Sequence, residues 1–345
     1  MEQLSSPQVI DHRLQTVRVL GRGCSGEVYE CHYGKYDHDW NFIPLFRVAA
    51  KVFDNDQDFE DEVRIHKCLQ LDPKAQKYTP NLISTTIWFR DSTARETMSL
   101  STAQGVIMTE LCGPNLEQFL ETSVDRTWDY AKQIFKGIKH FHRLGIVHWD
   151  IASKNLVWDK SGERIKICDF GHSFLESLPS PYTANYPNAE DWRGPEDLFG
   201  GDYAKSWDMW CAGGTLLELC TEQDPSALVL DISTNSFSDV ATLVTHCGWP
   251  SAAFLRQCPS NPYFTTIDDE FVPTPALVSA LQTVNRRSWF FSEDSFFVTN
   301  ARCVASNVTE NTKFEALQYL IQGCLRTDPV QRLTVIEALE YMKQF

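Results

Sequence analysis

A glycine-interrupted pair of apolar runs restricts most strongly how this chain folds. Residues 14 to 31 read LQTVRVLGRGCSGEVYEC, where β-branched and apolar residues flank Gly21, Gly23 and Gly26. The pattern predicts a strand, a glycine turn and a second strand, and glycines there let backbone amides approach a phosphate closely. A dinucleotide-binding fold would need a helix directly after the glycines, whereas EVYEC has strand composition. An ordinary glycine-rich hairpin has the same local pattern, so the prediction of phosphate binding needs support from the motifs that follow.

A third predicted strand places a lysine in an apolar environment. RVAAKVF, from Arg47 to Phe53, contains Lys51 near its end. Lysine is seldom fully buried without a partner. The next segment, QDFEDEVRIHKCLQL, has helical periodicity and offers Glu60 and Glu62 as candidate partners.

Two short polar motifs in the middle of the chain carry the candidate chemistry. HWDIASKN runs from His148 to Asn155, and CDFG runs from Cys168 to Gly171. They supply two aspartates and an asparagine, which are the side chains that phosphoryl transfer uses to orient an acceptor and hold a metal. The preceding segment RTWDYAKQIFKGIKHFHRLG predicts a buried helix that stops at Gly145.

In type and order these motifs resemble the eukaryotic protein kinase family. The resemblance covers about residues 14 to 343. It implies an α+β, bilobal kinase fold with a small β-rich N-lobe and a larger helical C-lobe. The implied divisions are 1–109 for the N-lobe, 110–113 for the hinge and 114–345 for the C-lobe, with an insert at about 239–313.

The resemblance assigns catalytic and metal-binding roles to residues of the two polar motifs. Asp150 would orient the acceptor hydroxyl, and Lys154 would neutralise charge as the phosphoryl group moves. Asn155 and Asp169 would hold Mg²⁺. The implied reaction is transfer of the γ-phosphoryl group of ATP to a serine or threonine hydroxyl of a protein.

The resemblance also defines a nucleotide-binding set. Lys51 would contact the α- and β-phosphates, with Glu62 as its partner because Ile65 and Leu69 follow at the family's spacing. Thr109 would guard the back of the adenine pocket. The full set is Gly21, Gly23, Gly26, Val28, Ala49, Lys51, Thr109, Glu110, Cys112 and Val157.

Further motifs fall in the family's order in the C-terminal half. Glu196 in WRGPED would pair with Arg332 in LRTDPVQRL. KSWDMWCAGGTLLELC predicts an apolar helix in which Asp208 would brace the catalytic loop. DVATLVTHCGWPSAAFL resembles the CMGC group, which contains cyclin-dependent, mitogen-activated, Clk-like and SR-protein kinases. Thr334 and Glu337 have the spacing of a helix capping box.

Three positions depart from the family pattern. Trp149 replaces an arginine that in many relatives grips a phosphate on the activation loop. Activity is therefore hypothesised to be independent of phosphorylation of the loop from His172 to Asp191. Ala152 replaces a lysine of many Ser/Thr kinases, which makes Lys154 its substitute, and Ala189 replaces a threonine that usually contacts the catalytic aspartate.

These departures leave two alternatives open. A pseudokinase would bind nucleotide or act as a scaffold without transferring phosphate, although such proteins usually lose the lysine, the base or the metal aspartate. A small-molecule kinase would use the same ATP clamp, but it would generally lack the GPE segment and the helix that carries Asp208.

Composition limits the expected cellular location of the protein and the classes of partner that it is expected to bind. The net charge is −15 and there is no long basic block, so nucleic acid is not an expected ligand, whereas a basic peptide is. Two acidic clusters support that expectation, Glu190 with Asp191 and Asp268–Glu270. The 11 irregularly spaced cysteines indicate reduced thiols. The absence of a roughly 18-residue apolar run or a signal-peptide pattern predicts a soluble, cytoplasmic or nuclear monomer without membrane contact.

Overall fold

Two compact units make up the protein. The computed structural model describes residues 9–11, 13–89, 103–119, 123–177, 194–201, 205–221, 236–284 and 308–345. The first unit comprises Met1–Pro114 and Val157–Ser173, and the second comprises Asn115–Leu156 and Phe174–Phe345. The first is mostly strands and the second mostly helices, in agreement with the predicted α+β architecture. Ala189, Glu190 and Asp191 lie outside the described residues.

An antiparallel sheet with the strand order β1-β2-β3-β4-β6-β5 forms the first unit. The predicted glycine turn joins β2 to β3, where Gly23 pairs with Gly26. The predicted lysine strand is longer than expected and begins at Phe42. The strands are β1 (Val9–Asp11), β2 (Leu14–Gly23), β3 (Gly26–Tyr36), β4 (Phe42–Phe53), β5 (Leu82–Phe89) and β6 (Ala103–Glu110).

Helix α1 (Asp56–Gln70) follows β4 directly. Asn55 caps its N-terminus by accepting a hydrogen bond from the Asp58 N–H, and acidic residues in the first turn favour the positive end of the helix dipole. Its buried face carries Glu62, Ile65, His66 and Leu69. The helix therefore presents a carboxylate and an imidazole among apolar side chains.

The second unit surrounds a helix that is buried on every side. Residues 207–219 of the helix Lys205–Thr221 (α4) are all buried, so this helix forms the centre of the unit. A Cβ on Gly213 would lie 2.7 Å from the Cys324 Cβ, so glycine lets the helix Val308–Cys324 (α8) approach closely. The helices around it are α2 (Val124–Arg143), α3 (Pro195–Phe199), α4 (Lys205–Thr221), α8 (Val308–Cys324) and α9 (Val335–Tyr341).

Short strands and the insert complete the fold. The predicted insert contains a hairpin whose turn holds Asp268 and Asp269 in the left-handed region (φ 50° and 64°). Within the described ranges, every cysteine is a free thiol and no helix is long and apolar enough to cross a bilayer. The remaining elements are β7 (Ile146–Val147), β8 (Leu156–Trp158), β9 (Ile165–Ile167), β10 (Phe174–Leu175), α5 (Phe237–Cys247), α6 (Ala252–Leu255), β11 (Phe264–Ile267), β12 (Glu270–Pro273) and α7 (Pro275–Leu281).

The predicted long-range ion pair joins α3 to the segment before α9. Arg332 donates from Nη1 and Nη2 to the two Glu196 carboxylate oxygens at 2.7 and 3.1 Å, and both side chains are 0% exposed. Arg332 also donates to the carbonyls of Arg326 and Ser206. A bidentate, fully hydrogen-bonded pair is the form in which a buried charge is tolerated. The predicted capping box of Thr334 and Glu337 starts α9.

Breaking this buried pair should destabilise the protein strongly. Arg332→Met leaves the Glu196 carboxylate buried without its partner and should lower the free energy of unfolding by about 3–5 kcal/mol in chemical denaturation. The matched control is Lys343→Met, which removes an ion pair with Glu340 whose side chains are 68% and 62% exposed and should cost under about 1 kcal/mol. Equal losses in the two variants would contradict the structural role of Glu196.

Candidate functional site

A lysine held between two carboxylates forms the charged centre of the first unit. Lys51 Nζ donates to Glu62 Oε2 and to Asp169 Oδ1, at 2.7 Å in each case. The Lys51 and Glu62 side chains are 10% and 4% exposed, whereas Asp169 is 37% exposed. Three residues predicted from separate motifs therefore meet in one cluster, and its aspartate is the member most accessible to a ligand.

The arrangement of α1 explains how Glu62 reaches the lysine. Only 11 positions separate Lys51 from Glu62, and α1 begins soon after β4 with its capped turn. Glu62 also accepts a hydrogen bond from the Phe170 backbone N–H. One turn further along α1, the His66 ring packs edge-on against the Phe170 ring, with centroids 5.3 Å apart. Helix α1 thus contacts both the lysine and the residue after Asp169.

Electrostatics keep Lys51 and Asp169 charged. Burial acts to raise the pKa of Asp169, but the charge and hydrogen bond of Lys51 outweigh it and hold that pKa well below its usual range. Burial acts to lower the pKa of Lys51, yet Asp169 and Glu62 together raise it. Burial raises the pKa of Glu62, and Lys51 opposes that shift. A free, ionised carboxylate edge beside a fixed ammonium suits the binding of a metal with phosphates.

The glycine turn leaves open space next to this centre. A Cβ on Gly21 would meet no atom within 4 Å, and one on Gly23 would meet only Asp169 Oδ2, at 3.8 Å. Gly26 is required for backbone reasons, because its φ is +152° and a Cβ would lie 2.0 Å from the Val52 carbonyl oxygen. Cys24 at the turn contacts His172, with Sγ 3.2 Å from Nε2.

Strand register gathers the predicted adenine-binding residues on the first unit. Val28 pairs with Lys51, and Ala49 pairs with Thr109, so members of each pair share a face of the sheet. Val157 follows on β8. Each of Val28, Ala49, Thr109 and Val157 is only partly buried.

The predicted hinge segment is anchored at both ends. Lys166 Nζ lies 2.5 Å from Glu110 Oε1 and donates to the Thr79 carbonyl at 3.1 Å. The Gly113 N–H donates to the Trp158 carbonyl at 2.7 Å. Between these anchors, no residue of the described ranges hydrogen-bonds to the backbone N–H or carbonyl of Cys112. A fixed strand end with an available donor and acceptor is suited to recognising the edge of a purine.

A buried aspartate on α4 organises the catalytic loop in the second unit. Asp208 is 0% exposed and accepts hydrogen bonds from the His148 and Trp149 backbone N–H groups, at 3.0 and 2.7 Å. His142 Nε2 lies 2.8 Å from its Oδ2. These contacts stabilise Trp149 in the left-handed conformation (φ 70°), which is unfavourable for a side chain of this size.

Further polar contacts run along the same helix. Thr215 Oγ1 lies 2.8 Å from the carbonyl oxygens of both Ile151 and Cys211, between which its single proton is shared, and Ser153 Oγ donates to Glu218 Oε1 at 2.8 Å. The buried helix therefore holds the loop at several points between His148 and Ser153.

This loop carries the predicted catalytic residues. Asn155 Nδ2 donates to both the backbone carbonyl and Oδ2 of Asp150, at 2.9 Å each. Its amide nitrogen is thereby engaged, and its amide oxygen remains as a potential metal ligand. Lys154 lies exposed beside them, and its carbonyl accepts a hydrogen bond from Asn115 Nδ2. The structure thus brings Asp150 and Asn155 together in the second unit.

Sequence reasoning missed several positioning residues. Ser153, Thr215 and Glu218 hold the catalytic loop, and Lys166 holds Glu110. A usable pattern was present, because Thr215 and Glu218 are polar residues within an otherwise apolar helix. Buried polar side chains need partners, so their helical spacing from Asp208 indicated a common polar contact.

Comparison with known proteins agrees with these features. The sequence profile of the protein kinase domain matches residues 14–342. The serine/threonine-protein kinase ppk5 of Schizosaccharomyces pombe is 26% identical over 343 residues, which cover 96% of this chain and 35% of that protein.

Two proteins of Drosophila melanogaster are also similar. One is described as a dual specificity tyrosine-phosphorylation-regulated kinase 3 homolog and is 24% identical over 96% of this chain and 38% of its own length. The tyrosine-protein kinase hopscotch is 26% identical over 64% of this chain and 18% of its own length. The chain thus spans well under half the length of the relatives named here.

The Thr215 hydroxyl should contribute measurably to stability. Thr215→Val removes its donor and leaves the Ile151 carbonyl unsatisfied in the interior, which should lower the free energy of unfolding by about 1–3 kcal/mol. Thr245→Val is the control, because the Thr245 hydroxyl donates only to the Ala241 carbonyl within its own helix. The losses are measured by denaturant titration. Equal losses of unfolding free energy in the two variants would contradict this role of the Thr215 hydroxyl.

His66 should make the stability of the protein pH-dependent. Burial, assisted by the nearby charge of Lys51, lowers the pKa of the His66 imidazole from 6.5 to about 4. Below pH 6.5 the unfolded chain therefore binds the proton more readily, so the contribution of neutral His66 is complete at higher pH and is lost as the pH falls toward 4.

Substitution of His66 by leucine isolates the contribution of this imidazole to the pH dependence of stability. His66→Leu keeps an apolar contact with Phe170, so on moving from pH 7.5 to pH 5 its unfolding free energy should fall by about 2 kcal/mol less than that of the unmodified chain. His38→Leu, at an exposed position, serves as the control. Parallel stability curves for His66→Leu and the unmodified chain would refute the assignment.

Proposed function

Because the chain belongs to the protein kinase family, we propose that it is an active kinase that transfers the γ-phosphoryl group of ATP to a serine or threonine hydroxyl of a protein. The observation that carries the proposal is the Lys51 ammonium held at 2.7 Å by both Glu62 and Asp169. This charged centre is costly to bury and has no evident use without an anionic ligand. Family membership establishes ATP as the expected phosphate donor.

The mechanism follows from groups in each unit. Lys51 would bind the α- and β-phosphates, with the glycine turn supplying backbone amides. Asp150 would hold the acceptor hydroxyl in line with the γ-phosphorus. As the acceptor oxygen bonds to phosphorus, the bond to the bridging oxygen of ADP breaks and the hydroxyl proton passes to Asp150. Asp150 Oδ2 accepts from Asn155, so Oδ1 would take the proton. Lys154 would offset the charge of the moving group.

The residues present fit Mg²⁺. Asp169 offers an ionised, partly exposed carboxylate, and Asn155 offers an amide oxygen, both of them hard oxygen ligands. Within the described ranges, no group of three or more histidine, cysteine or acidic side chains could hold a metal alone. Mg²⁺ commonly binds through one or two carboxylates together with substrate phosphates. When bound, it would neutralise phosphate charge at Asp169 and Asn155.

Serine or threonine is proposed as the acceptor, within a CMGC-like group. The two relatives that align over 96% of this chain are described as a serine/threonine kinase and a dual specificity kinase homolog. The helix α5 and the hairpin β11–β12 lie in the insert that prompted the CMGC resemblance. Hopscotch, described as a tyrosine kinase, aligns over a smaller part of the chain.

A basic peptide is the proposed substrate of a monomeric, cytoplasmic or nuclear enzyme. The net charge of −15 and the exposed Asp268–Glu270 turn support electrostatic attraction of a cationic partner. Free thiols throughout the described ranges support a reducing compartment.

Two other functions are less well supported. A pseudokinase would be expected to lack part of the charged machinery, whereas Lys51, Asp150, Asn155 and Asp169 are all present. A small-molecule kinase would be expected to lack the Glu196–Arg332 pair and the Asp208 contacts that build a peptide platform.

Substitution of the proposed base tests the function. Asp150→Asn should lower kcat on a mixed peptide library at least about 100-fold while leaving the affinity for ATP unchanged, because Asp150 acts on the acceptor. Mass spectrometry of the peptides, with Mg²⁺ and ATP present, reports both the acceptor type and the flanking sequence.

The control is Asp129→Asn, which removes the same charge from an exposed position on α2 and should leave kcat unchanged. Unaltered turnover in Asp150→Asn would remove Asp150 from its role. Phosphotyrosine alone, or acidic flanking residues, would contradict the acceptor and substrate proposals. ATP binding without any phosphopeptide would favour a pseudokinase or small-molecule kinase.

A further inference from the structure

Trp149 is buried in the second unit, directly before the proposed catalytic base. Its side chain is 1% exposed, and it precedes Asp150 directly. The Asp208 carboxylate accepts from its backbone N–H at 2.7 Å, and its carbonyl accepts a weak hydrogen bond from Cys211 Sγ at 3.9 Å. The backbone on both sides of the ring is therefore fixed, and any contact made by the ring bears directly on Asp150.

One edge contact joins this ring to the start of the loop from His172 to Asp191, which is called the activation segment below. The rings of Trp149 and Phe174 have centroids 5.6 Å apart and an interplanar angle of 76°. Phe174 belongs to β10, which pairs with Val147 and Ile146 of β7, and the Glu176 N–H donates to the Gly145 carbonyl. The first residues of the segment are thus attached to the strand that leads into the catalytic loop.

A second edge contact leads to the other end of the segment. The rings of Trp149 and Trp207 are 5.2 Å apart at 72°. The backbone of Gly194 lies against the Trp207 ring, because a Cβ there would be 2.9 Å from two of its carbons. Two residues later, Glu196 forms the buried pair with Arg332. Trp149 therefore links the described residues on both sides of the segment through aromatic packing.

We propose that Trp149 is a positioning residue, which holds Asp150 and both ends of the activation segment by apolar contact so that phosphoryl transfer does not require a phosphate on that segment. This inference rests on the proposed kinase activity. A buried indole provides the link permanently, whereas a charged receiver would need a phosphate to complete it. The cation Lys205, two residues before Trp207, is paired with Glu176 at 2.6 Å.

The test uses the full chain after phosphatase treatment, with phosphate content verified by intact-mass spectrometry and initial rates measured on the peptide library. The unmodified chain should transfer phosphate without prior phosphorylation. Trp149→Ala should lower kcat about 100-fold with an unchanged KM for ATP, because misplacement of the base affects chemistry and not nucleotide binding. Trp149→Phe, which keeps a ring, should stay within about tenfold of the unmodified kcat.

Trp128→Phe is the matched control, since Trp128 is also 1% exposed in the second unit but packs on Phe345. The Trp128→Phe variant should leave kcat unchanged while losing about as much stability as Trp149→Phe. If Trp149→Ala does not fold, Phe174→Leu tests the same link from the segment side and should lower kcat about tenfold with an unchanged KM for ATP.

The results of these measurements distinguish a failure of the Trp149 proposal from a failure of the proposed kinase activity. An unmodified chain that is active only when phosphorylated would overturn the inference and leave the kinase assignment intact. Equal loss of kcat in the Trp149 variants and in Trp128→Phe, or unchanged kcat in Phe174→Leu, would also overturn it. No transfer by either the phosphorylated or the treated chain would instead overturn the proposed function, and the inference with it.

Discussion

The buried carboxylate of Asp208 fixes the loop that carries the proposed catalytic residues. It accepts hydrogen bonds from two backbone N–H groups that an irregular loop would otherwise leave unpaired in the interior. Those bonds also stabilise the left-handed backbone of Trp149, which turns the chain toward Asp150. Because α4 is buried on every side, the helix that supplies this carboxylate has little freedom to move. The loop geometry is therefore a consequence of core packing.

A different constraint organises the first unit, where one ammonium group must satisfy two carboxylates. The Lys51 side chain is too deeply buried to remain charged without a partner, so its charged form depends on both Glu62 and Asp169. The same requirement connects α1 to the residues around Asp169, through Glu62 and through His66 against Phe170. Charge compensation and ligand binding thus depend on the same three side chains.

Much of this was predictable because the underlying interactions are local or demanded by chemistry. Glycine spacing, β-branched runs and helical periodicity predicted the glycine turn, β4, α1 and α4. A buried lysine required a partner, which made Glu62 a sound prediction. The length of β4 was underestimated, because its first half is largely exposed and contains Pro44, a residue that argues against a strand. Ser153 and Lys166 were missed, since a single polar residue does not reveal a distant partner, whereas the polar positions of Thr215 and Glu218 in an apolar helix were a usable signal.

The sequence by itself determined the family, the α+β class and the identity of the charged residues, because these depend on residue types at short spacings. Only the tertiary structure decided which residues share a contact. The Phe174–Trp149–Trp207 contacts and the contacts of Thr215 and Glu218 with the catalytic loop join segments far apart in sequence and were not predicted. Sequence spacing carries no information on such distances, whereas close packing in a core restricts each buried ring and each buried charge to the few neighbours that fit its shape and charge.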